Sequence, residues 1–293
     1  MPRLISVSEL IDRSWEQYRA AFADCLSITA WLLVPGLLLV IALLFYPTAD
    51  TLLLGSNFSR LQNTGVILYL ITHSLLLPLV ALWAYAALVR LGNAISLRGK
   101  GEPRKHMREA WNLFPFVLGA TVLYSLIVIL GYVGPLIPGF GLSILTTGRY
   151  DATWMVFLRN ALVVIGVFTS AVLAVRWFGL FQFGPVAVAS GDVPARGSLG
   201  MSAKLVRGRF WNVMFRAIVP KVLFFMLGTI ALWIASSLIN IGVSLSAIHA
   251  PFVALRIGTL AFSLISWIGI PIFLTPLLAF VDVNLYRSLK ETV

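Results

Sequence analysis

The sequence predicts an all-α, polytopic membrane bundle of about six spans, on three observations: its composition, the spacing of its uncharged runs, and the way its basic residues alternate between them. Of 293 residues, 59% are apolar and only 11% are charged, and the mean hydropathy is +0.94. Soluble domains carry roughly a quarter charged residues, so water is not the main solvent of this chain. Runs with little or no charge cover residues 25–46, 64–89, 114–136, 161–183, 222–248 and 257–281. Each reaches the roughly 20 residues that a helix needs to cross about 30 Å of hydrocarbon, and a helix satisfies its own backbone hydrogen bonds there. The fourth run is the least regular, because Arg176 interrupts it and an apolar tail continues to Ala189.

The third observation sets orientation. The chain has 22 Lys and Arg against 11 Asp and Glu. Arg3, Arg13 and Arg19 precede the first run, and Arg90, Arg98, Lys100, Arg104, Lys105 and Arg108 lie between the second and third. Arg196, Lys204, Arg207, Arg209, Arg216 and Lys221 lie between the fourth and fifth, and Arg287 and Lys290 follow the sixth. That places seventeen on one side, while the other holds Arg60, Arg149, Arg159 and Arg256. Basic connectors stay in the cytoplasm, so both termini are expected there, with anionic lipids of that leaflet as partners. Nucleic acid is not expected as a partner, since these residues form short connectors and not the continuous basic face of a soluble module. The N-terminus lacks the basic, apolar and small-residue order of a cleavable signal peptide.

Each odd-numbered run is preceded by an amphipathic stretch. Ser6 and Glu9 make a capping-box start, and Val7, Leu10, Ile11, Trp15, Tyr18 and Phe22 then recur at helical spacing. After Pro103, Met107, Ala110, Trp111 and Phe114 repeat the pattern, and a third version runs from Pro194 through Leu199, Ser202, Leu205 and Phe210 to Trp211. These predict three helices lying in the interface, with Trp15, Trp111 and Trp211 as anchors. Trp15, Trp111 and Lys204 are offset by 96 and 93 residues, about a third of the chain, and Pro78, Pro185 and Pro276 follow them by 63, 74 and 72. One integral membrane domain of three pseudo-repeats, at approximately 1–100, 101–192 and 193–293, is therefore expected, each repeat a hairpin of two spans.

Residues 130–141 (LGYVGPLIPGFG), 174–178 (AVRWF), 205–211 (LVRGRFW) and 285–290 (LYRSLK) carry a likeness. The chain resembles the membrane domain attached to some bacterial glycerophosphodiester phosphodiesterases, and the related stand-alone six-span inner-membrane proteins. The resemblance implies a helix-rich module of the bacterial cytoplasmic membrane, with no activity assigned to the module itself. It also implies a departure, since the sequence ends at Val293 without room for the catalytic barrel of the enzyme members. Mitochondrial carriers share a plan of three two-span repeats but carry an acid soon after a proline in each odd-numbered span. Here Pro35 is followed by Gly-Leu-Leu-Leu-Val and Pro251 by Phe-Val-Ala-Leu-Arg, so that assignment fails.

No constellation points to catalysis, a cofactor or a metal. Cys25 stands alone, and His73, His106 and His249 lie too far apart in the expected topology to share an ion. The glycines of 131–141 lack the Lys-Ser/Thr of a phosphate loop and are expected to form a turn. Asn57-Phe-Ser fits a glycosylation acceptor, which matters only in a secretory pathway. The informative polar residues are Arg176, Gln182, Asp282 and Asn284, near the basic ends of the fourth and sixth spans. An Arg at such depth snorkels to headgroups or finds a partner, and Asp282 is the candidate partner. The chain is expected to be a multi-pass membrane protein without activity of its own, organising or scaffolding the membrane or associating with lipid. A transporter with a central polar pathway and a membrane-anchoring subunit for a separate enzyme are the alternatives. Reporter fusions test the threading: those at Lys105 and Arg207 are expected to report cytoplasm and those near Arg60 and Arg149 the opposite side, and the reverse pattern would contradict it.

Overall fold

Helix ends leave backbone groups unpaired, and the first helix of this chain begins where a side chain can bond one. The computed structural model describes residues 4–47, 51, 57–99, 101–146, 153–246 and 251–292. Arg3, Lys100, Arg149 and His249 therefore lie outside the described residues, and only the backbone of Arg256 is described. The Ser6 hydroxyl accepts the Glu9 N–H at 3.2 Å and opens α1 (Val7–Ala20). Six elements long and apolar enough to cross a membrane follow: α2 (Phe22–Phe45), α3 (Arg60–Leu97), α4 (Pro103–Ile144), α5 (Trp154–Ala189), α7 (Phe210–Leu245) and α8 (Ile257–Glu291). The chain is a multi-pass membrane protein, all-α among the described residues, with the short α6 (Ala195–Val206) between α5 and α7. Each uncharged run of the sequence falls on one of the six.

Two of the three amphipathic stretches differ from expectation. Pro103 opens a helix that continues unbroken through Trp111 to Val133, so the second stretch is the first three turns of α4 and not a separate interfacial helix. No glycine falls between residues 103 and 118 to stop it, and Pro115 removes only one backbone bond. The third ends at Val206. Gly208, at φ +82°, takes the left-handed conformation that glycine adopts without a Cβ clash, and Phe210 and Trp211 begin α7 instead.

Residues group into two compact units. The first comprises residues 1–114 and 216–288. Its core lies where three helices depart from regular winding: a 3-10 turn in α2 (Ala30–Leu32) and π turns in α3 (Thr72–Leu76) and α8 (Ile265–Gly269). Each departure adjoins a proline, Pro35, Pro78 or Pro271, whose missing N–H leaves a carbonyl without its regular partner, and the altered winding absorbs the defect. Leu32, Ile268 and Ile272 pack there, with Leu77, Val80, Ala81 and Trp267 around them. The half-buried His73 borders this core, its ring 4.9 Å from that of Trp267 and stacked on Tyr69. Nearer the basic end, Leu88, Val89 and Leu91 of α3 and Phe280, Val281 and Leu285 of α8 are fully buried. A hydrophobic face packed against protein at one end and left open to lipid at the other is what a membrane hairpin needs, because lipid tails solvate leucine as well as protein does.

The second unit comprises residues 115–215 and 289–293. The Gly- and Pro-rich stretch read as a turn is helical: Gly134–Leu136 tightens to a 3-10 turn and Ile137–Thr146 resumes the α-helix. Its prolines, Pro135 and Pro138, stand at the starts of these segments, where a missing N–H costs little. Gly139 lets two backbones approach, since a Cβ there would lie 2.9 Å from Val163 N. In α5 the winding breaks between Phe181 and Gly184, and Ser202 of α6 repairs it: its hydroxyl donates to Leu180 O at 2.6 Å and accepts from Phe183 N–H at 3.2 Å. Arg209 bonds the carbonyls of Leu205 and Leu289 and the Thr292 hydroxyl, tying the last turn of the chain down.

Close helix approach gives the first stability prediction. A Cβ at Gly65 of α3 would sit 2.6 Å from the Phe45 backbone carbonyl carbon, whereas one at Gly119 meets nothing within 4 Å. Gly65→Val is expected to destabilise the protein by about 2–3 kcal/mol, read as a lower melting temperature in detergent, with Gly119→Val near wild type.

Candidate functional site

The polar residues singled out in the sequence divide between the units. Asp282 and Asn284 belong to the first unit, on the last turns of α8; Arg176 and Gln182 belong to the second, on and just after the long helical part of α5. Asp282 is 8% exposed. Its carboxylate accepts the Tyr85 phenol of α3 at 2.6 Å and the Lys221 ammonium of α7 at 2.5 Å. The acid that the sequence offered to Arg176 is thus neutralised by Lys221, while Arg176 itself is exposed. A carboxylate in so enclosed a place needs both charge balance and hydrogen bonds, and these two partners supply them.

Two residues further on, the Asn284 amide donates to Ser14 Oγ at 3.2 Å and Gln17 Oε1 at 2.9 Å, and Gln17 Nε2 donates to Ser96 Oγ of α3 at 2.8 Å. This chain of bonds holds α1 against α3 and α8. It also fixes the rotation of α1: Leu10, Ser14 and Tyr18, at i, i+4 and i+8, are buried, while Trp15 and Phe22 remain 44% and 41% exposed. The stripe read from the sequence was turned by the polar residues at its centre, so part of it faces protein and part is left for lipid. Further bonds secure the chain before α1, with Arg216 donating to Ile5 O at 2.7 Å and Ile5 N–H to Ser288 Oγ at 3.0 Å. Burial pushes the Tyr18 phenol up to about 12, with the neighbouring Cys25 thiol adding a smaller push, so Tyr18 stays neutral throughout the physiological range.

A second ionic contact joins α3 to α4, where Arg90 binds Glu109 at 2.7 Å and His106 Nδ1 lies 3.4 Å from the same carboxylate oxygen. In the second unit, the Gln182 amide nitrogen reaches only Gly179 O at 3.4 Å and Met214 Sδ at 3.8 Å, and Lys290 binds Asp192 at 2.7 Å. Trp111 and Trp211 are 66% and 75% exposed. Trp111 shares an aromatic cluster with Trp83 and Phe114, and Trp211 lies edge-on to Phe210.

Sequence reasoning missed Lys221, Tyr85, Ser14, Gln17 and Ser96. Ser14 and Gln17 left a signal, being polar residues inside the stripe of an amphipathic helix, where a polar group is retained when something bonds it. Lys221 left a weaker one, at the mouth of an apolar run. Chemically, this arrangement joins helices. Its carboxylates are bound by Lys, Arg and Tyr, and no three His, Cys, Asp or Glu side chains gather closely enough among the described residues to hold a metal ion. Compared with protein families, with curated proteins and with solved structures, the chain matches none of them.

The pairing gives a swap experiment. Asp282→Leu alone is expected to cost about 2–3 kcal/mol, the low end for a buried pair because Lys221 keeps 31% of its side chain exposed. Lys221→Asp combined with Asp282→Lys is expected to recover about 1–2 kcal/mol relative to the sum of the single changes. Recovery with Arg176→Asp and Asp282→Arg, and none with Lys221, would reverse the assignment.

Proposed function

We propose that the chain is a non-catalytic, lipid-associated module of the bacterial cytoplasmic membrane, with its basic end in the cytoplasm, and that it organises or scaffolds the bilayer around it. The observation carrying this reading is how the buried polar groups are used. Asp282 binds both Lys221 and Tyr85, and Gln17 binds both Asn284 and Ser96, so the polar atoms near α1 join helices instead of converging on a reacting centre. Aromatic and basic side chains of the kind that anchor to headgroups stay exposed in each unit, Trp15, Arg13 and Arg19 in the first and Trp211 in the second. Each basic residue near an anionic surface contributes about 1 kcal/mol of attraction.

The pseudo-repeat and the likeness to phosphodiesterase membrane domains belong to the same proposal. In support of a relation between the first and third repeats, the π turns begin at Thr72 and Ile265 and a proline follows each by the same interval, at Pro78 and Pro271. A transporter is the second reading. It draws on the irregular windings that meet at His73, since interrupted helices line transport sites; against it, Tyr69 and Trp267 occupy the space around that ring. Lipid and metabolite profiling of cells lacking the protein separates the two. Altered phospholipid composition or membrane order with unchanged solute pools is expected; accumulation or depletion of one solute, with lipids unchanged, would replace the lipid reading by transport.

A further inference from the structure

Beside the α1 docking site, the first unit contains a cleft of about 600 Å³ between α7 and α8, and its opening lies in the apolar part of both helices. Gly228, Ala231 and Ala235 line it from α7, at i, i+3 and i+7, one small-residue face of a helix. Opposite them is the π turn of α8, which contributes Ile265 and Gly269. Small side chains facing a widened turn leave space that larger residues would fill. A Cβ on Gly228 would rest in ordinary contact, 3.6 Å from Ile270 and Leu274, so the walls are close there without touching. Trp15 and Tyr18 of α1 close one end.

We propose that this cleft binds one acyl chain of a membrane phospholipid, with the headgroup at the Trp15 and Tyr18 end. The inference rests on the lipid-associated reading and names its ligand. Length supports it: the α7 wall from Phe224 to Ala235 rises about 16 Å, half of the roughly 30 Å hydrocarbon thickness and so the depth of one leaflet. Access supports it as well. Leu227 and Phe273, both cleft residues, are 53% and 50% exposed on membrane-spanning elements, so the medium that reaches the opening is acyl chain.

Polarity gives the direction. The lining is apolar except at the α1 end, where an indole N–H and a neutral phenol offer the interfacial donors that aromatic belts supply. Arg19, one helical turn beyond Trp15, is exposed and can bond the phosphate that every phospholipid headgroup carries, while the exposed Asp12 and Glu16 of the same helix balance its arginines and leave no excess of positive charge. A volume of about 600 Å³ also lies within the range of small-molecule sites.

Photolabelling tests the proposal on the whole protein in nanodiscs of phosphatidylglycerol and phosphatidylethanolamine, doped with phosphatidylglycerol carrying a diazirine on its acyl chain. Adducts mapped by mass spectrometry are expected several-fold enriched on residues 228–235 and 265–273 over the equally lipid-exposed residues 157–168 of α5. Ala231→Phe or Gly228→Leu, each filling the cleft, is expected to remove that enrichment and leave α5 labelling unchanged. Uniform labelling of all lipid-facing helices by the wild type, enrichment untouched by both filling variants, or cleft cross-links to a second copy of the chain would each overturn it. If cleft labelling fails while cells lacking the protein still show altered lipids, the cleft is rejected and the lipid-associated reading stands.

Discussion

A peptide group in hydrocarbon has no water to bond, and this constraint shapes almost everything in the molecule. It requires the apolar runs to be helices, and it makes every interruption of a helix a place where another group must act. Pro35, Pro78 and Pro271 are met by local changes of winding, and these three irregular turns then pack together around Leu32 and Ile268. The break before Pro185 is met from outside the helix, by the Ser202 hydroxyl. In both cases a backbone defect has become a tertiary contact, which is why the irregular positions hold the helices together and are not weak points between them.

The same economy governs the side chains. Polar residues among the apolar helices are costly alone and useful in pairs. Asn284 would be a penalty in α8 without Gln17 and Ser14, and those two would interrupt the apolar stripe of α1 without Asn284. Together they set the rotation of α1 about its axis. Through that rotation they determine which aromatic residues face the protein and which face outward, so that Tyr18 is buried and Trp15 is not. The cleft beside α1 follows from this placement, since the helix that closes it is held by bonds made two turns of α8 away from its apolar lining.

What the sequence revealed, and what it hid, divides along the range of the interactions involved. Hydropathy is a property of consecutive residues, so all six spans were legible, including the fourth despite Arg176. The α1 start was legible because Ser6 and Glu9 are three residues apart, the spacing at which the Ser6 hydroxyl accepts the Glu9 N–H. Residues 130–141 misled because glycine and proline end helices in water, whereas here the prolines begin segments and two of the glycines, Gly131 and Gly139, face α5. The partner of Asp282 was hidden for a different reason. Lys221 lies 61 positions away on another helix, and which faces of two helices meet depends on packing that no one-dimensional period records. Trp211 was placed on the wrong helix because a positive φ at Gly208, not any change in hydropathy, separates α6 from α7.

The most direct test of this account is a nitroxide scan along α5, from Trp154 to Ala189, in reconstituted bilayers, measuring collision with oxygen, which concentrates in hydrocarbon, and with a polar nickel chelate, which is excluded from it. Helix immersion predicts oxygen access that peaks towards the middle of the element and chelate access that falls to its minimum at the same positions. Chelate collisions as frequent at the middle of α5 as at its ends would show a helix surrounded by water, and the account would fail at its foundation.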